Sequence, residues 1–551
     1  MRAGPIGRAA RLTAGRVRGD AATRASLVAV AAAALLIGSY LLAPLMGGDL
    51  SAQMARAEFA RDHPLALIDL RWFGGVQPFG YTLWVTFAMA LVGPRAVGAL
   101  AALASTILTA RLFLRAGARR PAWGAAAAAL CQASDLAEGR VTFACGMAFG
   151  LGALLALPAM PPRPGAERDP GRRRGRLAAA GALAAVCGAA SPVAAMLLWL
   201  CAAVLMTRRR AAEALVLALC SAIPTAVLVV VFADGGPQPF STMDALRATA
   251  ATAFAGLVVA RRHRMVRIGA ALGVAMVLLA WALPTPVGGN AMRLSLLFAV
   301  PAVIALADVR ARWAAGLLAV AVVLQTPVTW GTLAGAGAPQ TEMAYYRPMI
   351  DAIRAGAPLA GRVQIPELNG HWEAVYAARE LPLARGWLRQ TDTKLNSDPF
   401  YGHPLNAQTY RRWLDLNGVQ YVAVSNARLT GTGRRERDFI RNERPGYLSA
   451  AWSNPDWTLY AVSGFTPVAD APATVLSQGA TAVVIEVPAG AEVTVRIRPF
   501  RWLRMGGANG QALPAGACLT PGDRWITVRG GSGGPIQIGS DLRIAGGAPR
   551  C

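Results

Sequence analysis

Two patterns of hydrophobic and polar positions divide the chain near residue 330. Before it, apolar blocks alternate with short turns rich in arginine. A bilayer-spanning helix needs about 20 apolar residues and can manage with fewer. The blocks predict spans at 27–45, 96–114, 123–133, 143–157, 177–190, 193–206, 211–231, 246–260, 268–283, 294–306 and 313–324, about eleven transmembrane helices in all, each lengthened at its ends by unassigned residues. One more apolar stretch, 78–92, covers only about 22 Å as a helix against about 30 Å of hydrocarbon, so it is expected in the interface. With a mixed-face helix predicted at 50–62, it makes the first external loop, 46–95, a structured element lying on the membrane.

Beyond Trp330 the pattern is mixed and water-soluble. Residues 406–417 read as a helix with an asparagine cap and Gly418 as its stop, followed by a strand at 419–424 and another at 457–462. From about Pro467 only strands and turns are expected: 481–487, 492–497, 525–528, 536–538 and 542–544, spaced as in a small β-sandwich. The fold class is therefore a mainly α membrane bundle with a C-terminal α/β plus β-sandwich region. Its parts are a basic N-terminus at 1–26, a membrane module at 27–330, an α/β domain at 331–466 and a β-sandwich-like domain at 467–551. No internal repeat is evident.

Composition agrees, with 54% hydrophobic and 15% charged residues among 551. A formal charge of +25 would point to nucleic acid if it were clustered on a soluble face, but most arginines sit in turns between apolar blocks. That placement is a topology signal. The leader carries Arg2, Arg8, Arg11, Arg16, Arg18 and Arg24, which puts the N-terminus in the cytoplasm, and the first block reads as an uncleaved signal anchor. The turns at Arg115/Arg119/Arg120, Arg172/Arg173/Arg174/Arg176, Arg208/Arg209/Arg210, Arg261/Arg262/Arg264/Arg267 and Arg310/Arg312 then fall inside, and the arginine-poor loops 135–140, 191–192, 233–244 and 284–293 fall outside. An odd number of spans leaves the C-terminal region extracytoplasmic, in a multi-pass plasma-membrane protein. Of seven cysteines, Cys131, Cys145, Cys187, Cys201 and Cys220 lie in or beside apolar blocks, whereas Cys518 and Cys551 could pair in an oxidising compartment.

Candidate chemistry begins at the end of the first span, in Gly47-Gly48-Asp49-Leu50-Ser51-Ala52-Gln53, with Glu58 and then Gln77-Pro78-Phe79-Gly80-Tyr81 further on. A carboxylate at the outer boundary can act as base for an acceptor hydroxyl while its substrates stay lipid-anchored. The alternative role of Asp49, not exclusive of the first, is the cap of the helix at 50–62. With its single span, Asp49 outside it, the Pro78-Phe79-Gly80-Tyr81 approach to the next span, many further spans and an outer C-terminal domain, the chain resembles the GT-C superfamily of polytopic glycosyltransferases. The likeness is loose over the whole chain and more specific over residues 27–160. Its arginine-dominated, alanine-rich style is similar to actinobacterial cell-envelope members, including arabinofuranosyl- and mannosyltransferases. The resemblance implies a polyprenyl-phosphate sugar as donor, an Asp or Glu of the first loop as base, and a glycan or glycolipid acceptor. Family members often carry an adjacent acidic pair there; here Asp49 has no adjacent partner and Glu58 lies nine positions on.

A polyprenyl-phosphate leaving group needs cationic donors near the outer interface. Arg140 and Arg293, the latter after Gly288-Gly289-Asn290, are the external arginines nearest span ends, with snorkelling toward headgroups as the plainer role. Glu58, Asp69, Arg71, Trp72, Asn290, His371 and Glu373 complete the candidate substrate contacts; Asp69, Arg71 and Trp72 also suit an interfacial belt, and His371, Glu373 and the Arg385-Gly386-Trp387 run also suit an ordinary α/β core. His63, His263 and His403 are isolated and support no metal site, and no phosphate-cradling Gly-x-x-x-x-Gly-Lys loop occurs. The expectation is thus an inverting glycosyl transfer with Asp49 as base, with no cofactor beyond the donor itself and no nucleic-acid partner. A transporter or flippase of a polar lipid, and a non-catalytic envelope assembly protein, are the other classes this pattern allows.

Overall fold

The computed structural model describes residues 5–158, 170–232, 235–308, 328–402, 404–542 and 549–551, with 316, 319, 320, 323 and 544. Helices occupy the first ten apolar blocks: α1 (Pro5–Leu42), α4 (Pro94–Arg115), α5 (Pro121–Ala137), α6 (Val141–Ala156), α7 (Pro170–Ala190), α8 (Pro192–Thr207), α9 (Ala211–Val231), α10 (Thr242–Val258), α11 (Arg264–Ala282) and α12 (Arg293–Leu306), with α2 (Leu50–Asp62) and α3 (Val85–Val92) in the first loop. The block at 313–324 falls largely outside the described residues. Among the described residues, five helices are long and apolar enough to cross a membrane: Thr23–Leu42, Pro94–Arg115, Ala211–Val231, Arg264–Ala282 and Gly288–Leu306. Their starts follow local chemistry. Proline opens α4, α5 and α8, where its missing N–H costs nothing, and the Ser191 hydroxyl accepts from the Ala194 N–H to cap α8.

Small residues set the helix spacing. A Cβ on Gly188 of α7 would overlap the Ser221 carbonyl of α9, so these two backbones touch. The same contact supports Trp199, whose indole N–H donates to the Ser221 hydroxyl at 2.9 Å.

The first loop departs from expectation. Within 78–92 only the last eight residues are helical, and α2 does not lie open on a surface: Leu50, Ser51, Ala52, Gln53, Ala55, Arg56, Ala57, Phe59 and Ala60 are all buried. It packs into one core with Trp72 of the same loop and with Tyr346, Trp372 and Trp457 of the α/β region. The chain from 65 to 76 then threads further out. Ile68 and Leu70 join the core of the last domain, Ile68 N–H donates to the Ser540 hydroxyl, and Leu383 N–H donates to the Arg71 carbonyl. Hydropathy alone cannot distinguish a face covered by lipid from one covered by a distant part of the chain.

The C-terminal region is β-rich. Its first sheet runs β1 (Arg362–Gln364), β2 (Val419–Ser425), β4 (Trp457–Val462), β3 (Leu448–Ser453), with β1 parallel to β2 and the rest antiparallel. The helix Ala407–Asn417 has the Asn406 capping box, and Gly418 ends it in the left-handed region at φ +66. Two more sheets share one core: β5 (Thr474–Gln478), β6 (Ala482–Val487), β11 (Gly534–Gly539), β8 (Arg504–Gly507), and β7 (Glu492–Val495), β10 (Ile526–Arg529), β9 (Cys518–Pro521). Of the strand expected at 542–544, Leu542 and Ile544 lie outside any strand, and 543 falls outside the described residues. Leu542 N–H instead donates to Leu65 of the first loop, after an isolated bridge between Ala66 and Asp541. A disulfide joins Cys518 to Cys551.

Arg385 sits at the centre of the α/β domain, buried against Glu367 at 2.7 Å, Asp392 at 2.6 Å and Glu436 at 3.7 Å. Tyr410 and Gln364 also donate to Glu436. Burial is the largest influence on Glu436 and pushes its pKa up from 4.5 to about 7, against the pull of Arg385.

Two stability predictions follow from these contacts. Gly188→Ala should separate α7 from α9 and cost roughly 1–3 kcal/mol, read as a lower melting temperature in detergent. A carboxyl whose folded pKa is raised destabilises the folded state once the unfolded chain has ionised. Stability should therefore fall between about pH 4.5 and 7, and Glu436→Gln should flatten that slope in thermal melts across the window.

Candidate functional site

Three backbone segments converge at the start of α2, and glycines permit their approach. Gly139, at φ +83, leaves no room for a Cβ against the Leu50 backbone nitrogen, and Gly47, at φ +104, leaves none against the Ala137 carbonyl. Asp49 N–H donates to the Glu138 carbonyl at 3.0 Å, which locks the first loop onto the turn between α5 and α6. The turn before α12, Gly288–Met292, brings the third segment.

This geometry places Asp49 between two arginines from distant parts of the sequence. Its Oδ2 lies 3.6 Å from Arg140 Nε and 3.8 Å from Arg293 Nη2. Arg140 also pairs with buried Asp135 at 3.2 Å, and the Arg293 guanidinium lies 4.6 Å from the centre of the Phe143 ring. Glu138 accepts from the Thr332 hydroxyl, and burial, opposed by Arg140, raises its pKa. Asp49 does stand at the N-cap position of α2. Its side chain, however, makes no capping hydrogen bond, and its backbone is already helical at φ −88 and ψ −16, so the capping role is not its side chain's.

Asp49, Arg140, Asn290 and Arg293 line one cavity of about 710 Å³. Its two walls differ in character. The polar wall adds Gln53, Arg56 and Tyr81 from the first loop, whereas α8 and α9 supply an apolar wall of Val193, Met196, Trp199, Leu228 and Val229. Over both lies 387–391 from the α/β domain. Trp387 there is stacked on His371, with ring centroids 3.6 Å apart and an 8° interplanar angle, and the Arg389 guanidinium lies 4.9 Å from the Trp387 ring. Arg389 also donates to the Tyr401 hydroxyl at 2.7 Å.

The other candidate residues lie outside this cavity. Glu58 is paired with Arg379. Asp69 and Arg71 form a buried pair at 2.7 Å that also holds the Ala55 carbonyl. Trp72 is 1% exposed, with Gly386 directly against its ring, so neither an interfacial anchor nor a sugar platform is open to it. His371 and Glu373, 3.5 Å apart, are buried behind Trp387, and burial raises the Glu373 pKa. These side chains hold the first loop and the cavity roof together. Among the described residues, no group of three His, Cys, Asp or Glu side chains is placed to hold a metal ion.

Sequence reasoning missed Gln53, Arg56 and Arg389. For the first two a signal existed: they lie four and seven positions after Asp49, on one face of α2. Nothing in the sequence pointed to Arg389, because the helix it opens, Arg389–Leu395, reaches the cavity from a part of the chain far from the first loop.

Burial of the Arg56 guanidinium is the largest influence on it and lowers its pKa, while Tyr81, Asp49 and Asp69 act in the opposite direction.

No family model matches the chain, and no curated protein matches it. Among solved structures it is similar to ArnT from Cupriavidus metallidurans in the apo state, at 15% identity and a TM-score of 0.45, over 79% of this chain and 97% of that one. It is also similar to the same protein bound to undecaprenyl phosphate, at 14% identity and a TM-score of 0.37, over 80% of this chain and 98% of that one.

Proposed function

We propose that this chain is a membrane glycosyltransferase of the GT-C type, moving a sugar from a polyprenyl-phosphate donor to a cell-envelope glycan or glycolipid. One observation carries the reading: a single cavity has an apolar wall from α8 and α9 facing a polar wall on which a part-exposed carboxylate, Asp49, lies between Arg140 and Arg293. An amphipathic ligand fits such walls, its chain on the apolar side and its charged head on the polar side.

In this reading Asp49 takes the proton of an acceptor hydroxyl as that oxygen bonds to the anomeric carbon. The bond from that carbon to the phosphate oxygen breaks with inversion, and the polyprenyl phosphate leaves with the electron pair. Arg140 and Arg293 hold the carboxylate in place beside the developing negative charge. Asn290 offers an amide to the same space. We also read the chain as a basic N-terminus at 1–26, a membrane module to 330, an α/β domain at 331–466 and a β-sandwich domain at 467–551. The last two stand outside the cell membrane, which the arginine-rich turns and the Cys518–Cys551 disulfide support.

Asp49→Asn retains size but removes the proton acceptor. Transfer from a radiolabelled polyprenyl-phosphate sugar by purified protein should fall about a hundredfold or more, with the melting temperature little changed. Near-normal transfer by the folded variant would remove Asp49 from the mechanism. Topology has its own check: exposed Ser477, changed to cysteine, should react with a membrane-impermeant thiol reagent in intact cells, and labelling only after lysis would place the β-sandwich inside.

A further inference from the structure

Around Asp49 every arginine is already faced by a carboxylate without a ligand. Arg140 and Arg293 face the carboxylates of Asp49 and Asp135, with Glu138 also close to Arg140. Arg389 is likewise held, 3.7 Å from Glu367 and bonded to Tyr401. Arg56 differs. It lines the same cavity and is only 6% exposed, yet among the described residues its guanidinium makes no ion pair and no side-chain hydrogen bond. Its one close partner is the Tyr81 ring, 4.4 Å from the guanidinium carbon to the ring centre.

Asp49 and Asp69 act on Arg56 only from beyond ion-pair distance, and a buried cation with no carboxylate in contact carries a desolvation penalty that a ring face only partly offsets. Its five N–H donors are unused, and Arg56 lies seven residues after Asp49 on α2, two turns or about 10 Å along the helix. We infer that Arg56 is the principal anion anchor of the cavity, and that its guanidinium, backed by Tyr81, binds the phosphate of a lipid-linked ligand. Arg140 and Arg293 are thereby chiefly positioning residues for Asp49. The planar, five-donor guanidinium suits two parallel hydrogen bonds to phosphate oxygens. The apolar residues that α8 and α9 add to the same cavity suit the attached hydrocarbon. The identity of the lipid as a sugar donor rests on the function proposed above; the anion site does not.

The test uses the purified full chain in detergent, with polyprenyl monophosphate and inorganic phosphate as separate probes, and with Arg56→Gln, Arg56→Lys and Arg293→Gln as variants. Binding is read by native mass spectrometry and by the shift in melting temperature on adding probe. Wild type should bind the lipid phosphate; Arg56→Gln should weaken it about tenfold or more, Arg56→Lys less, and Arg293→Gln less than Arg56→Gln. Without probe, Arg56→Gln should melt at a higher temperature than wild type, since it removes a buried charge that no ion pair holds. Equal binding of the lipid phosphate by wild type and Arg56→Gln would overturn the inference and leave the donor reading standing. So would a lower melting temperature of probe-free Arg56→Gln combined with undiminished binding, because the guanidinium would then be structural. If wild type ignores the lipid phosphate but inorganic phosphate stabilises it in an Arg56-dependent way, the anion site stands and the lipid-donor reading falls. If neither probe binds wild type, the anion site itself is refuted.

Discussion

Burial of the first loop is the constraint on which the rest of the structure depends. Residues 46–95 touch the helix bundle, the α/β domain and the β-sandwich in turn, largely through backbone and buried side chains. Leu50, Trp72 and Phe73 lie in the α/β core, Ile68 and Leu70 in the β-sandwich core, and Val85 and Met89 against α4 and α6. Buried apolar area of this kind contributes about 25 cal/mol per Å², and here it is spread over three partners. The position of Asp49 at the head of α2 is therefore fixed by contacts far from its carboxylate.

That fixing matters because the ion pairs themselves hold Asp49 loosely. At 3.6 and 3.8 Å, the Arg140 and Arg293 contacts are longer than well-formed charge-assisted hydrogen bonds, and the carboxylate keeps 36% of its side-chain surface open. By contrast Asp69–Arg71 and Arg385–Asp392 close at 2.7 and 2.6 Å and are almost wholly buried. The arginines of the tight pairs also tie separate segments, Arg71 to the Ala55 carbonyl and Arg385 to Glu367 and Glu436. The loose one faces the cavity, where a polar group of an entering molecule can compete for the same atoms.

Much of the membrane part was legible in the sequence, because hydropathy and arginine placement report directly on burial in lipid. Residues 211–231 and the helix α9 coincide, and Asp49, Arg140 and Arg293 stood out as charges at the ends of apolar blocks. The strands at 482–487 and 534–539 followed from alternation that the two-sheet core requires. The strands at 474–478, 504–507 and 518–521 did not: Thr474–Gln478 is a largely exposed edge, Arg504–Gly507 ends in two glycines, and Cys518–Pro521 ends in a proline. Arg56 was passed over as a site residue for a related reason. In a helix with mixed faces, an arginine reads as solvated until a distant domain covers it.

The cavity is closed by a part of the chain that is not in the bundle. Trp387 reaches it from the α/β domain, held on one side by His371 and approached by Arg389, while Arg385 two residues earlier is fastened to Glu367, Asp392 and Glu436. His371 in turn sits beside Gly370, whose carbonyl accepts from Ser51 of α2 at 2.7 Å. The roof and the polar wall thus share one support, since the α/β domain holds Trp387 directly and α2 through Ser51. Displacement of that domain would open the roof and shift Asp49 together, so the α/β domain is part of the cavity rather than an appendage to it.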